Sequence, residues 1–168
     1  KAKKVDKNFA IGIFSSSSPV SVTVPMRYKR GKEYLISKGI RIIDGELFGK
    51  QDYYRSGSIK ARAESSIHPK NIIGYSDTTA LLLGIYAKTG LVTFYGPALA
   101  SSFGEFPFVD MTFDNFKSVI CDGVVLPYEY KMPDIWTESL STGEDSLKDA
   151  CTIERTFSLL KLAGVFDR

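Results

Sequence analysis

Histidine is almost missing from this chain: His68 is the single imidazole in 168 residues. A conventional Cys/His zinc site needs several such ligands and is excluded. Cysteine is nearly as scarce. Cys121 and Cys151 form no CxxC, so free thiols are expected rather than a disulfide framework. No apolar run approaches the length of a membrane span. There is no GxGxxG and no P-loop glycine pattern. An excess of one charge is missing too. Twenty-two basic and 19 acidic residues leave a net charge of +3. Lys1, Lys3, Lys4 and Lys7 crowd the first seven positions, the rest is nearly balanced, and no basic stripe offers a grip on a nucleic-acid backbone. What is present is 43% hydrophobic and 12% aromatic content. That composition argues against disorder and fits one domain with a core, plus part of another. The lysines followed by FAIGIF look superficially like a signal peptide. The run is short and ends in SSSSP, so a first strand and a cytoplasmic protein are expected.

The apolar run Phe9–Phe14 between Asn8 and Ser15–Ser18 reads as a buried strand. Thr23 is placed to cap a helix with Pro25 in its first turn, ending near Lys38 before a C′ glycine, Gly39. Ile40–Ile43 reads as a second strand, Asp44–Tyr54 as loop, and Ser56–Glu64 as the start of a helix with Ser56 or Ser58 near its cap. That helix stops abruptly at Ser65-Ser66-Ile67-His68-Pro69, where Pro69 forbids continuation. Asn71–Gly74 is a strand, Ser76 or Asp77 caps a helix over Thr78–Lys88 with Gly90 beyond it, and Leu91–Tyr95 is the next strand. Strands alternating with helices imply an α/β fold: βαβ units, a parallel sheet and helices on both faces. From Pro97 a Phe-, Pro- and Gly-rich loop is expected, then a helix around Phe113–Ile120 and an extended stretch over Val124–Tyr130. Ser146 and Asp149 resemble a capping box, and Leu147, Ala150, Ile153, Phe157 and Leu160 give a helical stripe ending near Gly164. The expected divisions are a 1–100 N-terminal α/β domain, a 101–143 linker and recognition-loop segment, and 144–168 as the start of a second domain.

Four blocks carry a resemblance: SSSSP at Ser15–Pro19, YYRSGSIKARAE at Tyr53–Glu64, NIIGYSDTTALLLGIYAKTGLVTFYGPAL from Asn71, and EDSLKDACTIERTFSLLKLAGVFD from Glu144. Together they cover most of the chain. It resembles the LD-carboxypeptidase family of serine peptidases, and within it the microcin C7 immunity branch. The resemblance implies an N-terminal α/β domain, a C-terminal domain and an active site between them. It implies hydrolysis of an amide beside a free carboxylate, in murein LD-peptides or in a peptidyl-nucleotide antibiotic. No metal or cofactor is implied, and the possible partners are the small substrate and a second copy of the chain, with no nucleic acid and no membrane. In the family's pattern a glycine-rich elbow bearing the nucleophilic serine lies between the RAE helix and the GYSD strand. A glutamate opens the ED block, and a histidine lies beyond it. This chain shows no elbow between Glu64 and Ile67, no connecting segment between Glu138 and Glu144, and no later histidine. It therefore reads as internally deleted and C-terminally truncated relative to the family. Only Glu144 carries over from the triad. Trp136 resembles an aromatic of the substrate-recognition loop, where the immunity branch stacks a nucleobase.

A serine hydroxyl attacks an amide only if an imidazole takes its proton and an acid orients that imidazole. Glu144 fills the third role alone; otherwise Glu144 and Asp145 simply favour the positive end of the following helix. His68, before Pro69, reads as a surface loop residue rather than a substitute base. Gly74-Tyr75-Ser76-Asp77-Thr78 stands in the strand–turn–helix context of a nucleophile elbow, with Thr78 in place of the last glycine. Helix capping is the bland account of Ser76 and Asp77. Ser15–Ser18 reads as loop structure before an anion site. Tyr53, Tyr54, Phe103, Phe106 and Phe108 are either an aromatic pocket or core packing. Two functions follow: a serine carboxypeptidase-like protein, inactive without its nucleophile and histidine but a working serine-type hydrolase if the molecule holds the segments absent from this sequence, as the abrupt stop of the helix at Glu64 favours, or a non-catalytic α/β module that binds a ligand or a protein.

Overall fold

The computed structural model of the chain describes residues 9–64, 71–105, 110–123, 128–131, 135–137 and 152–154. The first apolar run forms strand β1, Ala10–Ile13. It pairs in parallel with β2, Arg41–Asp44, in the register Ala10 to Arg41 through Ile13 to Asp44. The crossover between them holds a single turn, α1 (Val20–Thr23), and the longer α2 (Pro25–Ser37). Pro25 opens α2, where its missing N–H leaves nothing unpaired. The cap is Val24 rather than the expected Thr23. Thr23 is already inside the preceding turn: its N–H bonds the Pro19 carbonyl at 2.9 Å, and its hydroxyl donates to the same oxygen at 3.2 Å. Gly39 ends α2 with φ 81°, the left-handed stop its position implied.

A second parallel pair joins β3 (Ile73–Gly74) to β4 (Phe94–Tyr95) across α4 (Thr78–Thr89). Between the two pairs lies α3, Ile59–Glu64, whose first turn is capped by the Ser58 hydroxyl accepting the Ala61 N–H at 3.2 Å. The alternation is that of an α/β fold. The core forms on one side of the strands. Tyr34 and Leu35 of α2 meet Phe103, Phe113, Phe116 and Ile120, and one residue from each strand (Ile11, Ile42, Ile73, Phe94) packs against them. Phe103 stacks on Tyr34 at 6.1 Å and meets Phe116 edge-on at 5.6 Å.

Two stretches depart from expectation. The segment after Pro97 is not loop but a π-helical turn, Leu99–Phe103, laid against α2. Burial of Ala100 and Phe103 in the aromatic core holds it there. A helix, α5 (Asp110–Lys117), and a second π-helical turn, Ser118–Asp122, replace the single expected helix, ending at Gly123 with φ 70°. The second departure is at the far end. The helical stripe expected through Ile153 is interrupted, because Thr152–Glu154 forms β6, antiparallel to β5 (Ile135–Thr137) with Trp136 opposite Ile153. β-Branched Thr152 and Ile153 favour that extended pairing over a helix. The flanking residues of the stripe lie outside the described residues. Among the described residues no helix is long and apolar enough to cross a membrane.

Candidate functional site

In an open parallel sheet, ligands gather beyond the carboxyl ends of the strands. Three sequence blocks converge on that rim. Ser16 Oγ lies 2.9 Å from Thr78 Oγ1, and Ser17 Oγ donates to Asp77 Oδ2 at 2.5 Å, tying the loop after β1 to the turn after β3. Behind them Ser56 is fully buried. It gives both its N–H and its hydroxyl to the Ser17 carbonyl, each at 3.1 Å. Arg62 of α3 donates from Nη1 to the Ser16 carbonyl at 2.9 Å. The serine-rich loop is thus fixed from two sides, through the hydroxyls and carbonyls of Ser16 and Ser17.

Asp77 stands at the start of α4 but makes no side-chain cap there, because its carboxylate accepts from Ser17 instead. Ser76 has φ 56°, in the left-handed region that costs a non-glycine residue about 1–2 kcal/mol. Strand, tight left-handed turn and helix are the backbone ingredients of a nucleophile elbow. The side-chain ingredients are not assembled around it. Tyr75 is turned to Ser101, donating its hydroxyl at 2.5 Å, and Asp77 is engaged by Ser17. The Ser76 carbonyl accepts the Thr79 N–H at 2.9 Å, a turn-forming role. His68 lies outside the described residues, so no described imidazole reaches Ser76.

A second polar cluster on the same rim was not legible as a site. Asp44, the last residue of β2, accepts from Tyr28 Oη at 2.7 Å and from Lys32 Nζ at 2.5 Å. Tyr28 and Lys32 are one helical turn apart on α2, and that i, i+4 spacing was the available signal. Lys32 also lies 5.8 Å over the Tyr28 ring and 5.7 Å over Phe48. Burial alone would raise the Asp44 carboxyl, but the hydrogen bonds from Lys32 and Tyr28 and the Lys32 charge outweigh it and hold it below its ordinary value. The Tyr28 hydroxyl is pushed upward, first by burial and then by its bond to Asp44.

The residues marked by resemblance fare unevenly. Glu144 lies outside the described residues. Trp136 is placed on the backbone of β5. The aromatic set does not form one pocket: Phe103 is in the core, whereas Tyr53 and Tyr54 are 89% and 72% exposed. Phe106 and Phe108 lie outside the described residues. Cys121 is a free thiol, pushed upward by burial. Among the described residues no three His, Cys, Asp or Glu side chains gather as metal ligands.

The fold is α/β, built on parallel strand pairs, and comparison with known proteins gives the family. Residues 64–96 match the profile of the LD-carboxypeptidase N-terminal domain. A putative carboxypeptidase of Vibrio cholerae is 44% identical over 172 residues, covering 82% of this chain and 51% of the relative. The microcin C7 self-immunity protein MccF of Escherichia coli is 37% identical over 249 residues, covering 94% of this chain and 72% of MccF. The wild-type apo structure of MccF superposes with a TM-score of 0.80 at 35% identity, over 99% of this chain and 65% of that one. The chain belongs to the LD-carboxypeptidase family. It spans about half the length of the Vibrio relative. The alignments are also longer than the chain segments in them. Ninety-four per cent of 168 residues is about 158, against 249 aligned positions with MccF, so about 90 of those positions face no residue here. For the Vibrio relative, 82% is about 138 against 172, which leaves about 34.

Proposed function

We propose that this chain is a serine carboxypeptidase-like protein of the microcin-immunity type, which binds a small peptide or peptidyl-nucleotide without cleaving it. The observation that carries the reading is the rim, where the SSSSP, RSGSIKAR and GYSDT blocks are locked together by hydrogen bonds at the carboxyl ends of parallel strands. Relatedness to MccF, solved with aspartyl sulfamoyl adenosine and with glutamyl sulfamoyl guanosine, supports the ligand class. In this reading Trp136 stacks the nucleobase, and Glu144 is the acid that orients an imidazole in complete relatives.

Cleavage needs a serine whose proton has somewhere to go. No glycine-rich elbow follows Glu64, and the strained Ser76 has no described base beside it. Two measurements on the 168-residue chain test the assignment. Calorimetric titration with aspartyl sulfamoyl adenosine should show binding, weakened in Trp136→Ala, with no aspartate released. A serine-directed phosphonate should leave the chain unlabelled. Labelling at Ser76 would overturn the binding-only reading, and labelling lost in Glu144→Ala would restore a full triad. Neither binding nor labelling would leave the rival module, a protein-binding α/β domain. The apolar flank of α4, with Leu83 63% and Tyr86 56% exposed, is the feature that favours that rival.

A further inference from the structure

Ser56 is fully buried, although Tyr53 and Tyr54 just before it are 89% and 72% exposed. A hydroxyl so placed is unfavourable unless it is hydrogen-bonded. Ser56 turns both of its donors on one acceptor: its N–H and its hydroxyl reach the Ser17 carbonyl, each at 3.1 Å. A carbonyl oxygen has two lone pairs, and two donors from one residue leave its peptide plane little freedom. The Ser17 side chain in turn gives its hydroxyl to Asp77 Oδ2 at 2.5 Å. A hydrogen bond to a carboxylate is the stronger kind. Three separate stretches of sequence are thereby joined in series, Ser56 to Ser17 to Asp77.

What the series holds is a turn that would not hold itself. Ser76 stands at φ 56°. A non-glycine residue keeps such a conformation only where its surroundings over-determine it. Among the described residues Ser76 makes one hydrogen bond, its carbonyl accepting the Thr79 N–H. The other restraints come from its neighbours. Thr78 sits tight on Gly74, where a Cβ would stand 2.6 Å from Thr78 Cγ2, and its hydroxyl meets Ser16. Asp77 begins α4, where an aspartate ordinarily turns back to cap the first N–H groups. It makes no such cap. Ser17 draws the carboxylate across the rim instead, and among the described residues its Oδ1 has no partner. Asp77 is exposed, and an ionised carboxylate oxygen only accepts.

We propose that Ser56 is a positioning residue of the rim: acting through Ser17, it keeps the Asp77 carboxylate turned away from α4, with one oxygen presented to a cationic group of the ligand. The inference rests on the reading of the rim as the site of a small peptide or peptidyl-nucleotide. Within that reading it names the ligand feature that the rim selects, a primary ammonium, which an aminoacyl group carries and a bare nucleotide lacks. An ammonium has three donors and no acceptor, the complement of a carboxylate oxygen. Asp77 alone of the series meets the ligand; Ser17 and Ser56 stand one and two contacts behind it.

The test titrates aspartyl sulfamoyl adenosine and adenosine monophosphate into the 168-residue chain and its variants. The unaltered chain should favour the aminoacyl ligand. Ser17→Ala should weaken that ligand about tenfold, the scale of one hydrogen bond to a charged group, and Ser56→Ala at least about threefold. Adenosine monophosphate should bind each variant within about twofold of the unaltered chain, on the same scale. Ser17→Thr keeps a hydroxyl and should restore the aminoacyl affinity. The double variant should lose no more than Ser17→Ala alone, because residues acting in one series are not additive. Additive losses, equal losses for both ligands, or no preference for the aminoacyl ligand would overturn the proposal. A second readout needs no ligand. The Cα and Cβ chemical shifts of Ser76 report its left-handed backbone, and both alanine variants should move them in the same direction. Shifts unchanged in both would overturn the proposal even with binding intact. If the unaltered chain binds neither ligand, the binding reading falls, and these shifts alone decide whether Ser56 positions the turn. Ser56→Cys, which keeps the shape with a weak donor, stands in if Ser56→Ala fails to fold.

Discussion

Ser76 shows how a single dihedral separates two roles for one residue. The GYSDT string allows a cap or an elbow; the backbone chose a left-handed turn, φ 56°, and left the hydroxyl without a described base. If Ser76 only makes the turn, Ser76→Gly should raise stability by about 1 kcal/mol, because glycine reaches that region without steric cost. For a chain of this size that is a rise of about 2–4 °C in Tm. A loss of stability in thermal or urea unfolding would mean that the hydroxyl holds a contact the fold needs. The Tyr28–Asp44 pair gives a second residue-scale prediction. The Tyr28 hydroxyl lies above its ordinary 10.0 in the folded chain, through burial first and Asp44 second. A group raised on folding stabilises fully below its unfolded value and loses that contribution as pH rises past it. Stability should therefore fall with pH above about 10, and fall less steeply in Tyr28→Phe. Asp44 works in the opposite sense. Lowered on folding, it contributes above the ordinary carboxylate value and loses that contribution as pH falls through its folded value. Identical alkaline slopes for the two chains would remove Tyr28 from the account.

Elements were legible where punctuation is chemical and illegible where packing decides. Pro25, Gly39 and Gly90 marked the ends of α2 and α4, because a missing N–H and a left-handed φ are local properties. The serine loop and the GYSDT turn were also visible as blocks, though not that Ser17 would claim Asp77 from its capping role. The π-helical turn at Leu99–Phe103 was not visible, since it depends on a distant partner. Gly31 of α2 has no Cβ, and one built there would stand 2.4 Å from the Leu99 carbonyl oxygen and 3.2 Å from the Gly104 nitrogen. Gly104 is as tight: its Cβ would meet the Arg27 carbonyl oxygen at 2.3 Å. Helix propensity and packing make opposite forecasts for Gly31→Ala. Propensity favours alanine by about 1 kcal/mol. Overpacking against backbone that cannot swing aside costs about 1–3 kcal/mol. The clash should win, with a net loss measurable in urea unfolding; a gain would show that the π-helical turn yields easily. The same logic explains β6. Its helical stripe was real as a pattern, but Thr152 and Ile153 satisfy a strand pairing with Thr137 and Trp136 that no local spacing announces.

At the scale of the molecule, burial is lopsided, and that sets the order in which the chain opens. α2 sends Tyr28, Tyr34 and Leu35 into the interior, with Leu35 only 1% exposed. It is pinned further by Arg27 to Glu105 at 3.0 Å and Tyr34 to Asp110 at 2.7 Å. α4 is rich in leucine yet buries only Leu82, while Leu83 and Tyr86 stay exposed. Among the described residues its tie to the other half of the rim is a pair of side-chain hydrogen bonds rather than a strand ladder. Regions with few buried apolar contacts open at lower free energy than the core. Hydrogen–deuterium exchange should therefore show α4 with β3 and β4 exchanging well before α2 with β1 and β2, as two steps. Leu35→Ala should cost about 2–5 kcal/mol. It should speed exchange in α2 and in all four parallel strands, because Leu35 belongs to the core they share, whereas Leu83→Ala should change little. If the amides of α4 and α2 exchange together, the two strand pairs behave as one cooperative sheet despite the missing ladder.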